Sequence, residues 1–258
     1  MADSTRDILR QDALQQRVKG TPGGNHIHWS TKDIAQIREY VMDMPEPVIR
    51  AAPSAESKRH DFDRAALMRR IAEAGIEVKA EMQPSDRSFV GCASAEVCDL
   101  SNDLVKGVGI DKSIFNKNPV VPPFHNTSVV PVAAACPPWQ SGDATLTIFR
   151  FPEPGVSKES DQMASAVQAG LIRGVSIGFQ PLKWRFSTDK SRPMGIDFLE
   201  IKLLEVSLCS VPCCPPCILL GAVSSKATAP PSVRAAPTST REQRIIEARK
   251  LSLAAYRV

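Results

Sequence analysis

Gly170-Leu-Ile-Arg-Gly-Val-Ser-Ile-Gly-Phe-Gln180 is the stretch on which the reading of this chain turns. From Val175 it alternates, so that Val175, Ile177 and Phe179 share one face of a strand and Ser176, Gly178 and Gln180 the other. The first face belongs in a core. The second carries a hydroxyl between Gly174 and Gly178, whose missing Cβ atoms leave room for another backbone, so this small face is expected to open to a ligand. A strand serine can equally face solvent or bond to a neighbouring strand, and this stretch alone does not separate the readings.

Two distant positions supply the missing chemistry. His125 closes the extended, Pro-punctuated run Asn118-Pro-Val-Val-Pro-Pro-Phe-His-Asn126, and Glu205 sits between Leu204 and Val206 in a β-rich segment from Ile196 to Val211. A serine nucleophile needs a base to take its proton, and the base needs a group that fixes its tautomer and stabilises the imidazolium. His125 and Glu205 are the right chemical types. An ionised carboxylate within an apolar run is costly unless paired, and His125 is one candidate partner. The alternative is an ordinary strand glutamate paired with Arg or Lys.

The order His, Ser, acid joins a series of words: Phe89-Val-Gly-Cys-Ala-Ser94, Asp99, Val105 to Phe115, Asn118-Pro119 leading into His125-Asn126, the Ser176 strand, and Leu204-Glu-Val-Ser-Leu-Cys-Ser-Val-Pro212. Together they resemble the prohead proteases of tailed bacteriophages, capsid-maturation serine proteases whose fold is related to the herpesvirus assemblins. The resemblance runs roughly from Arg87 to Leu220. It implies that His125 is the general base, Ser176 the nucleophile and Glu205 the third member. Related assemblins carry a second histidine in that third place, and this chain has none after His125. Two words depart from the family pattern. Pro212-Cys-Cys-Pro-Pro-Cys217 stands where an Asn-Pro pair is usual, and Pro123-Phe124 replaces a polar or Trp-Gln approach to the histidine. The resemblance further implies hydrolysis without a cofactor. Its substrates would be the scaffold protein, or the scaffolding segment of the major capsid protein, and the chain itself. The place would be the immature shell in the bacterial host cytoplasm, with self-association but no membrane or specific nucleic-acid partner. A non-catalytic scaffold or capsid-binding protein on the same fold is the alternative from another class.

Composition agrees with this. The chain has 258 residues, 43% of them hydrophobic, which suffices for one core plus appendages. No apolar run is long enough to span a bilayer, and Met1-Ala-Asp-Ser-Thr-Arg6 lacks a signal peptide's apolar stretch, so a cytoplasmic protein is expected. The net charge of +4 resides in the tail: from Ala222 onward seven Lys or Arg face two Glu.

Three regions are expected: a helical accessory region over 1–85, a protease domain over 86–221, and a low-complexity linker with a basic terminal helix over 222–258. In the first, Ser30 or Thr31 caps a helix to Asp43, and a second runs from Asp61 to Ala74 and stops at Gly75. The domain reads as strands Ser88–Ala95, Val105–Ile110, Val120–Phe124, Ser128–Ala135 and Ala144–Phe151, then a helix from Ser160 to Ile172, the Ser176 strand, and a hairpin into Ile196–Val211. The fold class is therefore mainly β with surrounding helices (α+β), and the resemblance makes its core a small assemblin-like β-barrel. In the tail, Ala222 to Thr240 reads as a disordered linker and Arg241 to Tyr256 as a helix.

Cysteines offer a rival signal. Cys209, Cys213, Cys214 and Cys217 include one Cys-x2-Cys half-site, the basis of a zinc-stabilised interaction module as a third reading. No second pair or nearby histidine completes the set, so no bound metal is expected. His26 and His28 read as a loop near the terminus, and His60 as an exposed residue.

Overall fold

The computed structural model describes residues 14, 26–43, 62–192 and 194–230; the expected helix from Arg241 to Tyr256 lies outside them. Strands β1 (His26–Ile27), β2 (Ser88–Ala95), β3 (Leu104–Val105), β4 (Ile110–Asp111), β5 (Val120–Val121), β6 (Ala133–Ala135), β7 (Trp139–Ser141), β8 (Ala144–Arg150), β9 (Gly174–Phe186), β10 (Ile196–Cys209) and β11 (Leu219–Ala222) form two sheets. The first has the order β1-β9-β10-β3, with β4 also on β10; the second has the order β11-β2-β8-β6-β5, with β7 also on β8. Helices α1 (Thr31–Asp43), α2 (Arg64–Glu73) and α3 (Lys158–Gln168) accompany them.

The architecture is mixed α+β and mainly strands, as the alternation implied, but among the described residues the strands do not close into the expected barrel. What unites the sheets is a shared apolar cluster. Phe89 and Phe149 from the second sheet pack with Val175, Ile177, Phe179, Phe198 and Val206 from the first. These side chains are nearly all excluded from water, and burying each contributes roughly 1.5–3 kcal/mol.

Local signals explain the helices. Ser30 and Asp33 cap α1 reciprocally, the Asp33 amide donating to Ser30 Oγ and the Ser30 amide to the Asp33 carboxylate. Ile37 and Val41 on its inner stripe are buried, and Tyr40 stacks on Phe186 of β9. Asp63 caps α2 through the Ala66 amide, so the helix begins after Asp63 rather than at Asp61. Ser157 caps α3, which starts earlier than expected for the same reason, and the chain leaves it through Gly170 at φ 74°.

Strand differences have equally local causes. Val105–Ile110 is interrupted by a 3-10 turn at Gly107–Gly109. Only Ala133–Ala135 of the Ser128–Ala135 run is strand, since Pro131 precedes it and residues 128–131 are exposed. β11 ends at Ala222, which pairs with Phe89, and the Val223 amide donates to the Ser88 carbonyl; the ordered chain thus continues through the residues expected to begin a disordered linker.

The long hairpin β9–β10 positions everything that follows. Its antiparallel register sets Ser207 opposite Ser176 and Glu205 opposite Gly178, with an irregularity between Leu203 and Glu205. On its outer side β9 takes β1 in parallel, His26 opposite Gly178, so part of the accessory region belongs to the main sheet.

Candidate active site

In an antiparallel pair, residues directly opposite one another point to the same face. Ser176 and Gly178 of β9 therefore share a face with Ser207 and Glu205 of β10. His125 reaches that face from a third segment. After β5 the chain runs along the free edge of β10, where Pro123 bridges Leu208 and the Phe124 amide donates to the Leu208 carbonyl. It then turns sharply: Phe124 and His125 have φ of 51° and 60°, two successive non-glycine residues in the left-handed region. Such conformations cost of order 1–3 kcal/mol each and persist where the surroundings over-determine them. Here the turn carries the imidazole over the strand edge.

The result is a connected set. His125 Nδ1 lies 2.5 Å from Glu205 Oε1, and the other carboxylate oxygen accepts a 2.6 Å hydrogen bond from the Ser207 hydroxyl. Ser207 Oγ in turn accepts the His125 main-chain N–H at 3.2 Å. Ser176 and Glu205 are 2% and 4% exposed, while the His125 side chain retains 13% exposure. With Nδ1 turned to the carboxylate, Nε2 is the nitrogen that can serve a hydroxyl. The other acidic residues of β10 are engaged elsewhere: Glu200 faces Lys183, and Asp197 pairs with Arg185 and Arg192.

Both glycines flanking Ser176 serve this chain rather than an incoming ligand. A Cβ on Gly178 would stand 2.2 Å from Glu205 Oε1, so the open space there is filled by the carboxylate. A Cβ on Gly174 would meet the Cys209 carbonyl at 2.6 Å and Pro212 at 2.9 Å. The small face expected to be open is thus covered by the protein's own acid and the approach of β10. The physical reason is a cross-strand partner that the isolated stretch cannot reveal.

Ser207 went unnoticed in the sequence. It stands two residues from Glu205, the spacing that puts both on one strand face, and that periodicity was the available signal.

The cysteines are buried and free of disulfides. Hydrogen bonds to Cys214 and Cys92, then burial, hold the Cys217 thiol well above its usual range. Cys209 is pushed up to about 11 by burial and by the Glu205 charge, so it stays a neutral thiol beside the site. Among the described residues no group of three or more His, Cys, Asp or Glu is arranged to hold a metal ion.

Residues 156–221 match the family model of the caudovirus prohead serine protease. This is the family that the sequence words resemble, and the match covers about a quarter of the chain. The matched stretch runs from the residues before α3 to the third residue of β11, containing Ser176 and Glu205 and leaving out His125. No curated protein and no solved structure matches the chain. The match supports a capsid-maturation protease role in general and a place within the phage prohead, and no described helix is long and apolar enough to cross a membrane.

Proposed function

We propose that this chain is an active serine endopeptidase of the prohead serine protease family, with Ser176 as nucleophile, His125 as general base and Glu205 as the acid that orients it. One observation carries the reading: the His125 Nδ1 contact with Glu205, 2.5 Å long, is built on the strand pair that presents Ser176. A buried carboxylate on Nδ1 selects the tautomer with its proton there and leaves Nε2 to accept one. As Ser176 Oγ attacks a scissile carbonyl, its proton passes to Nε2, and Glu205 stabilises the imidazolium. The proton then goes to the leaving amine, an acyl-enzyme forms, and His125 activates the water that releases it.

The substrates in this reading are capsid-assembly proteins, either the scaffold protein or the scaffolding segment of the major capsid protein, together with this chain itself. The family match supports the general class of substrate. The test is expression of the full chain with and without its phage's major capsid protein, followed by mass spectrometry. Wild type should shorten itself and its partner. Ser176→Ala should leave both intact, and wild-type processing by Ser176→Ala would refute the assignment.

A further inference from the structure

We infer that Ser207 is a positioning residue of this site, holding acid and base together through a single hydroxyl. The inference rests on the catalytic reading above and adds a residue to it. Ser207 is completely buried near the C-terminal end of β10, where an apolar side chain would suit the core better. Its hydroxyl uses its proton on Glu205 Oε2 and receives the main-chain N–H of His125. Both bonds go to the two groups that must stay in register for proton transfer.

The second bond has a particular task. His125 and Phe124 occupy the left-handed region, and a turn of that kind needs external contacts to persist. Ser207 Oγ supplies one to the main chain of His125 itself, while Glu205 holds the ring. The bond to Glu205 acts on charge. An O–H donating to one carboxylate oxygen draws off part of the negative charge that the other presents to Nδ1. The titratable groups of β10 beside this arrangement are Glu205 and the neutral Cys209 thiol, and on β9 the positions opposite are the uncharged Ser176 and Gly178.

Removing the hydroxyl therefore has a directional effect. With Ser207→Ala, Glu205 carries fuller charge toward Nδ1, the imidazolium is favoured, and the base needs a higher pH to be free. A residue that served only packing would lower the amount of folded protein without moving this titration.

The experiment is the pH dependence of covalent labelling of the full chain by a fluorophosphonate. In that reaction Ser176 Oγ forms a bond to phosphorus, fluoride leaves, and the hydroxyl proton goes to His125. Ser207→Ala should label roughly 10- to 100-fold more slowly at neutral pH, with its acid limb displaced to higher pH. Ser207→Cys, close in shape but a weak hydrogen-bonder, should fall between and gives the answer if the alanine variant fails to fold. A folded variant whose acid limb coincides with wild type, or moves to lower pH, overturns the inference. Ser176→Ala is run alongside: labelling of that variant at the wild-type rate would sink the catalytic reading itself. No labelling there, with an unshifted Ser207 variant, would sink only the role of Ser207.

Discussion

Gly178→Ala is a one-carbon change whose effect can be worked from the geometry. The new Cβ would stand 2.2 Å from Glu205 Oε1, 2.8 Å from its Cδ and 2.9 Å from its Cγ. Relief to an ordinary contact requires the carboxylate to retreat by about 1 Å, given that non-bonded atoms settle at roughly 3.5 Å. Because Gly178 is not at positive φ, alanine brings no backbone strain, and it gains about 0.5–1 kcal/mol from the stiffer unfolded chain. Overpacking costs about 1–3 kcal/mol, so the net loss of stability should be small to moderate. Activity should respond more strongly. The carboxylate that must retreat is the one on His125 Nδ1, and a misplacement of about 1 Å costs on the order of 100-fold, or about 2.7 kcal/mol of barrier. The assay is kcat/KM on the capsid-protein substrate together with a thermal melt. A double-mutant cycle with Glu205→Gln then isolates the route, because once the acid is lost the added methyl should cost little further activity. Wild-type kcat/KM in a folded Gly178→Ala protein would refute the reasoning, as would losses that simply multiply in the double variant.

Glu205→Gln should keep the fold and lower kcat by about 100- to 10,000-fold, because the amide no longer selects the tautomer or stabilises the imidazolium; full activity in steady-state kinetics would remove Glu205 from the mechanism. Asp99 offers a test of stability against pH. Burial, then the neighbouring Asp103 charge, pushes its carboxyl up to about 7, above the unfolded value, so its stabilising contribution is complete below about pH 4 and is lost as pH rises to about 7. Asp99→Asn keeps an oxygen for the amides of Ser101 and Asp103 and should flatten the fall in Tm across that window; curves that stay parallel to wild type would contradict it. Truncation of the tail must begin after residue 230. Ala222 and Val223 belong to the sheet edge, and Ala227 and Ala229 pack against the core. Removing 231–258 should leave hydrolysis by the remainder intact and reduce co-sedimentation with assembling capsid protein, whereas unchanged co-sedimentation would show that the tail carries no address.

Much was legible in the chain because it depends on residues close in sequence. Period-two alternation placed the Ser176 strand, whose Val175, Ile177 and Phe179 lie in the core, and β-rich composition placed the Glu205 strand. Ser30 and Gly75 marked helix ends through capping chemistry that acts within four residues. His125, Ser176 and Glu205 could be selected by type, since a hydroxyl nucleophile calls for a base and a base for an acid. Tertiary structure decided how they meet. The β9–β10 register set Glu205 over Gly178 and Ser207 across from Ser176, and a register is a property of two strands that neither specifies alone. The left-handed turn at Phe124 and His125 had no glycine to announce it, because it is held by bonds to Leu208 and Ser207 more than eighty residues away. Whether the strands closed into a barrel was settled likewise by pairings between distant segments. The sequence by itself thus determined which chemical groups this protein possesses; long-range pairing decided that a carboxylate, an imidazole and the Ser207 hydroxyl are joined by hydrogen bonds on the strand pair that carries Ser176.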